Sequence, residues 1–298
     1  MTFLLWRTVT SLVQLLVLSV VLFLFFRVLP GDIYTEQLAD PQASRQTIEA
    51  NREAAGLRNS WPHRYRDWVA SCFKGDFGTS LAYGIPVSRL VAPRIQKTLA
   101  ISVPALVLAW LLGTGGGLLA VRFRWTITLD PGAAAAAMVP DVIAVGLMLW
   151  LAVWAGLRIT GAWLPIVGLT SSLLPVIFLH VSEQVRSARE LEFVRIAESR
   201  GISGARLWLR FILRAAANPL VSLAGLSVAA TIGSSFVVEA LTGWPGLGPL
   251  FLEAVQARDY PIVQTVLMLL AAVLALSNLA ADLALYRLDP RIRLPHES

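Results

Sequence analysis

Five stretches of this chain, residues 8–26, 98–121, 159–179, 215–238 and 260–281, contain no Asp, Glu, Lys or Arg. A helix needs about 20 predominantly apolar residues to cross the hydrocarbon of a bilayer. A sixth stretch, 131–157, has the same character apart from one charge, Asp141. Of the 298 residues, 56% are hydrophobic and 15% are charged, against about 25% charged in soluble domains. The pattern predicts an all-α integral membrane protein with six transmembrane helices. The first stretch is longer than the roughly 7–15 residues of a secretory h-region, and it runs into "FFRVLPGD" with no small-residue cleavage site. It is expected to be a retained span.

Orientation follows from Lys and Arg in the short loops. Arg122 and Arg124 follow the second span, and Arg186, Arg189, Arg195, Arg200, Arg206, Arg210 and Arg214 separate the fourth from the fifth. Arg287, Arg291 and Arg293 follow the sixth, whereas the opposite short loops hold only Arg158 and Arg258. Both termini are therefore expected in the cytoplasm. The net charge of +6 expresses this bias. Because the Arg are divided among loops, they form no nucleic-acid footprint.

Three parts result: 1–30 with the first span, an extracytoplasmic region 31–96, and a core 97–298. The core's spans are expected at about 98–121, 131–156, 162–181, 216–239 and 260–284. In the external region, Trp61, Tyr65, Trp68, Val69 and Phe73 recur at helical spacing. That fits a helix lying on the membrane surface, and equally a small self-packed subdomain. "LDPG" at 129–132 predicts Asp130 as an N-cap with Pro131 opening the third span, and "RDYP" at 258–261 a similar start for the sixth. Gly113 and Gly117 are spaced for close helix approach. Asp282 is expected to pair with Arg287. Asp141 has two readings. In one it lines a translocation pathway and meets a cationic group on cargo. In the other "VPD" breaks the helix, and the carboxylate serves freed backbone donors or pairs with Arg122 or Arg124. The lone Cys72 excludes an intrachain disulfide and a Cys-rich metal site. His180 and Glu183, three apart, read better as a polar helix end than as metal ligands.

Between the fourth and fifth spans lies a charged island, the loop 183–215, with "EFVRIAESRG" at 192–201. Residues 183–200 are helix-competent, and Ala188, Leu191, Val194 (or Ile196) and Ala197 make one apolar stripe. Gly201 is suited to a helix stop and Ser203 to a cap on the next helix. Residues 204–217 then carry Arg206, Arg210 and Arg214 opposite Leu207, Phe211 and Ile212, and "NP" at 218–219 leads into the fifth span. Two short helices with a tight bend are expected.

"FVRIAESRG", "WPGLG" (244–248), "RDYPIVQ" (258–264) and "LDPRIR" (288–293) occur in that order. "LPGD" (29–32), "KGDFGTSLAYGIPV" (74–87) and "TLAISVPAL" (98–106) precede them. Over nearly the whole chain this series resembles the inner-membrane permease subunits of ABC importers, specifically the B-type permeases of dipeptide, oligopeptide and nickel systems. The resemblance implies the type I importer fold. It also implies a second, C-type permease, two ATPase subunits that bind ATP and Mg, and an extracytoplasmic solute-binding protein received by the region 31–96. Carried over by position, Arg195, Ala197, Gly201 and Ser203 fall on the ATPase-coupling motif, with Asn218 and Pro219 at its close. Glu239, Trp244, Pro245, Gly246 and Gly248 fall on the external loop before the last span. Ile196 departs from the family's usual Thr, and Asp141 from a frequent Ser.

A phosphate-binding loop needs G-x-x-x-x-G-K-[ST]. Neither Lys in the chain, Lys74 or Lys97, has that context. ATP-driven transport therefore requires a partner polypeptide, and this chain is expected to be no enzyme and to hold no cofactor. An intramembrane protease would need a base near Ser234 or Ser235, and His180 sits toward the other side. A secondary transporter or channel is the remaining alternative.

Overall fold

The computed structural model describes residues 2–28, 61–157 and 160–288. Its helices, in order, are α1 (Thr2–Val28), α2 (Trp61–Phe73), α3 (Val87–Arg122), α4 (Thr126–Ala137), α5 (Asp141–Trp154), α6 (Trp163–Glu190) and α7 (Glu192–Ser199). There follow α8 (Gly204–Leu207), a π-helical turn at Trp208–Ile212, α9 (Leu213–Thr242), α10 (Leu247–Gln256) and α11 (Tyr260–Leu288). Among the described residues five helices are long and apolar enough to cross a membrane, or six when α4 and α5 count together. The latter pair is bent by 99°. The span expected over 131–156 is broken at residues 138–140, as the helix-breaking reading of "VPD" anticipates.

The reason for the break is local. Pro140 has no N–H for a helical ladder, and it sits extended at φ −58°, ψ 140° as the N-cap of α5. Asp141 then occupies the first turn, where a carboxylate complements the helix dipole. No ion pair joins it to Arg122 or Arg124. Asp130 is not an N-cap: α4 has already begun at Thr126, and Pro131 lies inside it.

The chain divides into two compact units. One comprises Met1–Thr8, Leu99–Trp244 and Val273–Ser298. Its interior is aliphatic: Ile101, Ala105, Val145, Leu169 and Val238 form one buried cluster. Ala109, Ile177, Val181, Val185, Ile212 and Ala216 belong to another. The glycine spacing in α3 has the predicted consequence. A Cβ on Gly113 would lie 2.7 Å from Ile177 Cγ2, and one on Gly117 2.9 Å from Val181 Cγ1. A second close approach carries no such motif on its own helix. Gly225 of α9 faces the small residues Ser277 and Ala281 of α11, leaving 2.6 Å between a built Cβ and Ala281 Cβ. Lipid gives helices no hydrophobic reason to associate, so small residues and buried hydrogen bonds take that role. Trp110 Nε1–H donates to the buried Ser227 hydroxyl at 2.9 Å. Asp282 pairs with Arg7 at 3.4 Å rather than with Arg287.

The other unit comprises Val9–Thr98 and Pro245–Ala272. Here the loop after α2 is tied to the segment around α10. Asp259, fully buried, accepts from Ser80 Oγ at 2.5 Å and from the Ala82 N–H at 3.0 Å. Its backbone carbonyl meanwhile accepts from Val263 N–H at the start of α11, but the carboxylate expected to cap that helix is turned to Ser80 and Ala82, and Pro261 is the second residue of the helix, not the first. The first N–H groups of a helix lack intrahelical partners. α10 satisfies one from outside, through Leu247 N–H donating to Thr98 Oγ1 at 2.9 Å. Arg94 reaches the Gly246 carbonyl at 3.4 Å, and Tyr83 donates to Glu253 at 3.2 Å. Burial and that carboxylate push the Tyr83 phenol above its ordinary range. α2 packs on α1 through an edge-on Phe23–Tyr65 contact of 5.4 Å and a Ser19–Tyr65 hydroxyl pair at 2.8 Å.

Candidate functional site

The charged island is built on a short amphipathic helix. The sequence predicts one helix from 183 to 200, but α6 runs on to Glu190 and stops at Leu191, which is extended at φ −61°, ψ 136°. α7 starts afresh with Glu192 in its first turn, where a negative charge is favoured. Val194 and Ala197, one turn apart, are buried in the cluster that includes Ala188, Leu207 and Ile212. Val194, not Ile196, is thus the inward residue, and Leu191 is outside the stripe at 42% exposure.

Gly201 stops α7 in the predicted way. At φ 83° it takes the left-handed conformation that favours glycine. Its N–H donates to Glu198 O at 3.0 Å, and Ile202 N–H reaches back to Ala197 O at 3.1 Å. This is a Schellman stop, complete with the apolar contact it usually carries: Ile202 packs on the cluster that holds Ala197. Ser203 occupies the N-cap position of α8 with an extended backbone, but its side chain makes no capping hydrogen bond. From Gly204 the chain passes through the π-turn directly into α9, giving a helical run of 39 residues, Gly204–Thr242. Asn218 and Pro219 are therefore inside a helix instead of leading into one.

The outward face follows from this anchoring. Phe193 is 50% exposed and Ile196 44%, one turn apart on α7 and flanked by exposed Arg195 and Arg200. Arg206, Arg210 and Arg214 are exposed as well, opposite Leu207, Phe211 and Ile212 as predicted. Among the described residues none of these five Arg makes an ion pair within the chain. Arg186 and Arg189 behave differently. Arg186 binds Glu183 of its own helix and Asp130 of α4, and Arg189 stacks over Trp208, 5.8 Å from the ring centroid. His180 Nδ1 lies 2.9 Å from the Val176 carbonyl. The island thus offers a pair of exposed apolar side chains, with Arg195 and Arg200 beside them, on a helix fixed from behind. Its chemistry is that of docking. The sequence did not reveal the stop at Leu191 or the π-turn, since neither contains Gly or Pro.

The remaining sequence-derived residues lie elsewhere. Asp141 is half-buried at the α4–α5 bend. Glu239 is fully buried within α9, not in a loop. Gly243, left-handed at φ 68°, ends that helix, and Trp244 packs on the cluster around Ile101. Pro245 and Gly246 connect to α10, which contains Gly248.

Residues 98–294 match the family described as binding-protein-dependent transport system inner membrane component, and residues 1–101 match its N-terminal region. The chain belongs to this permease family. It is 32% identical over 294 residues to the glutathione transport system permease protein GsiC of Escherichia coli (strain K12), covering 94% of each chain. It is 30% identical over 312 residues to the probable peptide ABC transporter permease protein y4tP of Sinorhizobium fredii, covering 98% of this chain and 99% of the relative. A solved inward-facing structure of the MetNI methionine ABC transporter aligns with a TM-score of 0.58 and 18% identity, over 67% of the permease and 96% of that chain. An amino acid ABC transporter solved with histidines aligns at 0.51 and 16%, over 68% and 94%. These neighbours establish the type I permease fold. The protein is accordingly a multi-pass permease subunit of an ABC importer.

Proposed function

We propose that this permease carries small peptides or a related solute, in partnership with a second permease, two ATP- and Mg-binding ATPases and an extracytoplasmic binding protein. The observation that carries the reading is α7: a helix anchored by Val194 and Ala197 that turns Phe193 and Ile196 outward beside exposed Arg195 and Arg200, neither of which makes an ion pair among the described residues. An apolar cleft with an acidic rim on an ATPase subunit is its complement. Arg195, Gly201 and Ser203 belong to the coupling loop in this reading, Ala197 holds it to the core from behind, and Asn218 and Pro219 belong to the helix that takes up its movement. The peptide class rests on the two relatives, named for glutathione and peptide transport. The Arg-rich end of the spans, and with it both termini, faces the cytoplasm on the same reading. Glu239, Trp244, Pro245, Gly246 and Gly248 then lie toward the opposite side.

The test is reconstitution of the assembled importer with Phe193→Ala/Ile196→Ala, Arg195→Glu or Gly201→Pro. Each is expected to lower cargo-stimulated ATP hydrolysis and uptake at least fivefold, with the double Ala variant also losing co-purified ATPase. Undiminished coupling in all three sinks the assignment.

A further inference from the structure

A docking surface alone does not account for the π-turn at Trp208–Ile212 or for Pro219 beyond it. The hydrogen bonds locate where the helix widens. Trp208 N–H still reaches Gly204 O, four residues back, whereas Leu213 N–H donates to Trp208 O, five residues back. The turn therefore holds one residue more than an α-helical turn.

Packing explains the additional residue. Leu207 and Ile212 are both buried in the cluster that holds Val194 and Ala197 of α7. In an unbroken α-helix of 3.6 residues per turn, five positions would set them about 140° apart. The widened turn brings both inward and leaves Leu209 outside, 68% exposed. No Gly or Pro lies within Trp208–Ile212 to force this. Farther along, Pro219 lacks the N–H that would bond Ala215 O. Helices bend where a π-turn or a proline interrupts their ladder. Both interruptions lie between α7 and the rest of α9. On its other side α7 is set off from α6 by the extended Leu191. Arg189, just before that break, lies over the Trp208 ring. The two connections of residues 192–207 to the core are thus side by side.

We propose that the π-turn is a hinge, at which the block of α7 and α8 changes its angle to α9 while Leu207 and Ile212 stay in the cluster. The inference rests on the coupling role of α7. Its first test is hydrogen exchange of the assembled importer, nucleotide-free and with a non-hydrolysable ATP analogue. Amides of Leu209–Leu213 are expected to change their exchange at least threefold with the analogue, together with those of 192–203. A response in 192–203 without one in the turn overturns the hinge alone. A response in neither overturns the coupling role and the hinge with it.

The second test is deletion of Leu209. It sets Leu207 and Ile212 four apart, on one face of a continuous α-helix, so the packing is kept and the hinge is lost. The deletion is expected to melt no lower than the parent importer but to move at least fivefold less cargo per ATP hydrolysed. Leu209→Ala, which keeps the residue count, should match the parent in both. An undiminished ratio in the deletion, or an equally low one in Leu209→Ala, overturns the hinge. If the deletion unfolds or fails to assemble, the exchange measurement decides alone.

Discussion

Asp259 accepts the hydroxyl of Ser80 at 2.5 Å across 179 positions of sequence, and the same oxygen takes the N–H of Ala82. The other carboxylate oxygen, also buried, has no hydrogen-bond partner among the described residues. Removing an acceptor from buried donors costs about 1–3 kcal/mol. Asp259→Ala is therefore expected to destabilise by that order and to expose the 76–86 loop to protease. Asp259→Asn keeps one acceptor oxygen and should fall between. In a double-mutant cycle Ser80→Ala should add little to Asp259→Ala, because the two residues share one interaction. Thermal unfolding in detergent with limited proteolysis reads both effects, and full additivity would contradict the pairing.

Gly225 and Ala281 leave each other no spare room, with 2.6 Å from a built Cβ on Gly225 to Ala281 Cβ and 3.0 Å to the Ser277 carbonyl. Gly225→Ala is expected to cost roughly 1–3 kcal/mol by overpacking. Ala281→Gly should restore part of it, and Ser277→Gly should restore little because the obstructing Ser277 atom is backbone. Gly117→Val should behave like Gly225→Ala, without relief from α11. Melting temperatures of the four variants and the Gly225→Ala/Ala281→Gly pair decide the matter.

Which of these features could be read from the sequence depends on how far apart the interacting residues are. Charge-free runs located the spans, and Gly113 with Gly117 marked a close contact because both partners of the motif lie on one helix. Gly201 was legible because a helix stop is a local event. Gly225 was not, since the small residues it needs are on α11. Likewise Asp282 has Arg287 nearby in sequence but meets Arg7, which no periodicity could indicate. The α4–α5 break was suggested by "VPD", but its 99° bend depends on where α4 begins, and that start contradicted the expected Asp130 cap. Leu191 has no breaker chemistry. What leaves it outside the apolar stripe is that Val194 and Ala197 turn inward together.

Cys72 gives a pH-dependent reporter for α2. Burial, with the nearby Asp76 adding to it, pushes its thiol from 9.0 up to about 11. The thiolate is the reactive form. At neutral pH a thiol held that high is about a hundredfold poorer in thiolate than a free one. Maleimide labelling of the folded permease should thus rise about tenfold per unit from pH 7 to 10, without levelling near 9. Labelling of the unfolded chain should level there. Identical profiles for the two states would rule out a buried thiol.

Asp141 separates a helix-start role from a pathway role by experiment. At the first turn of α5 its charge complements the dipole, a contribution of about 0.3–1 kcal/mol. Asp141→Asn retains an oxygen there and loses the charge. With the positioning role it lowers stability by no more than that amount and scales uptake of neutral and cationic peptides equally. Asp141→Ala should cost more than Asp141→Asn, because the oxygen is lost too. Competition uptake in proteoliposomes, with melting measured on the same preparations, distinguishes the two. A selective loss of cationic peptides in Asp141→Asn, at unchanged melting temperature, would move this residue from the bend into the cargo path.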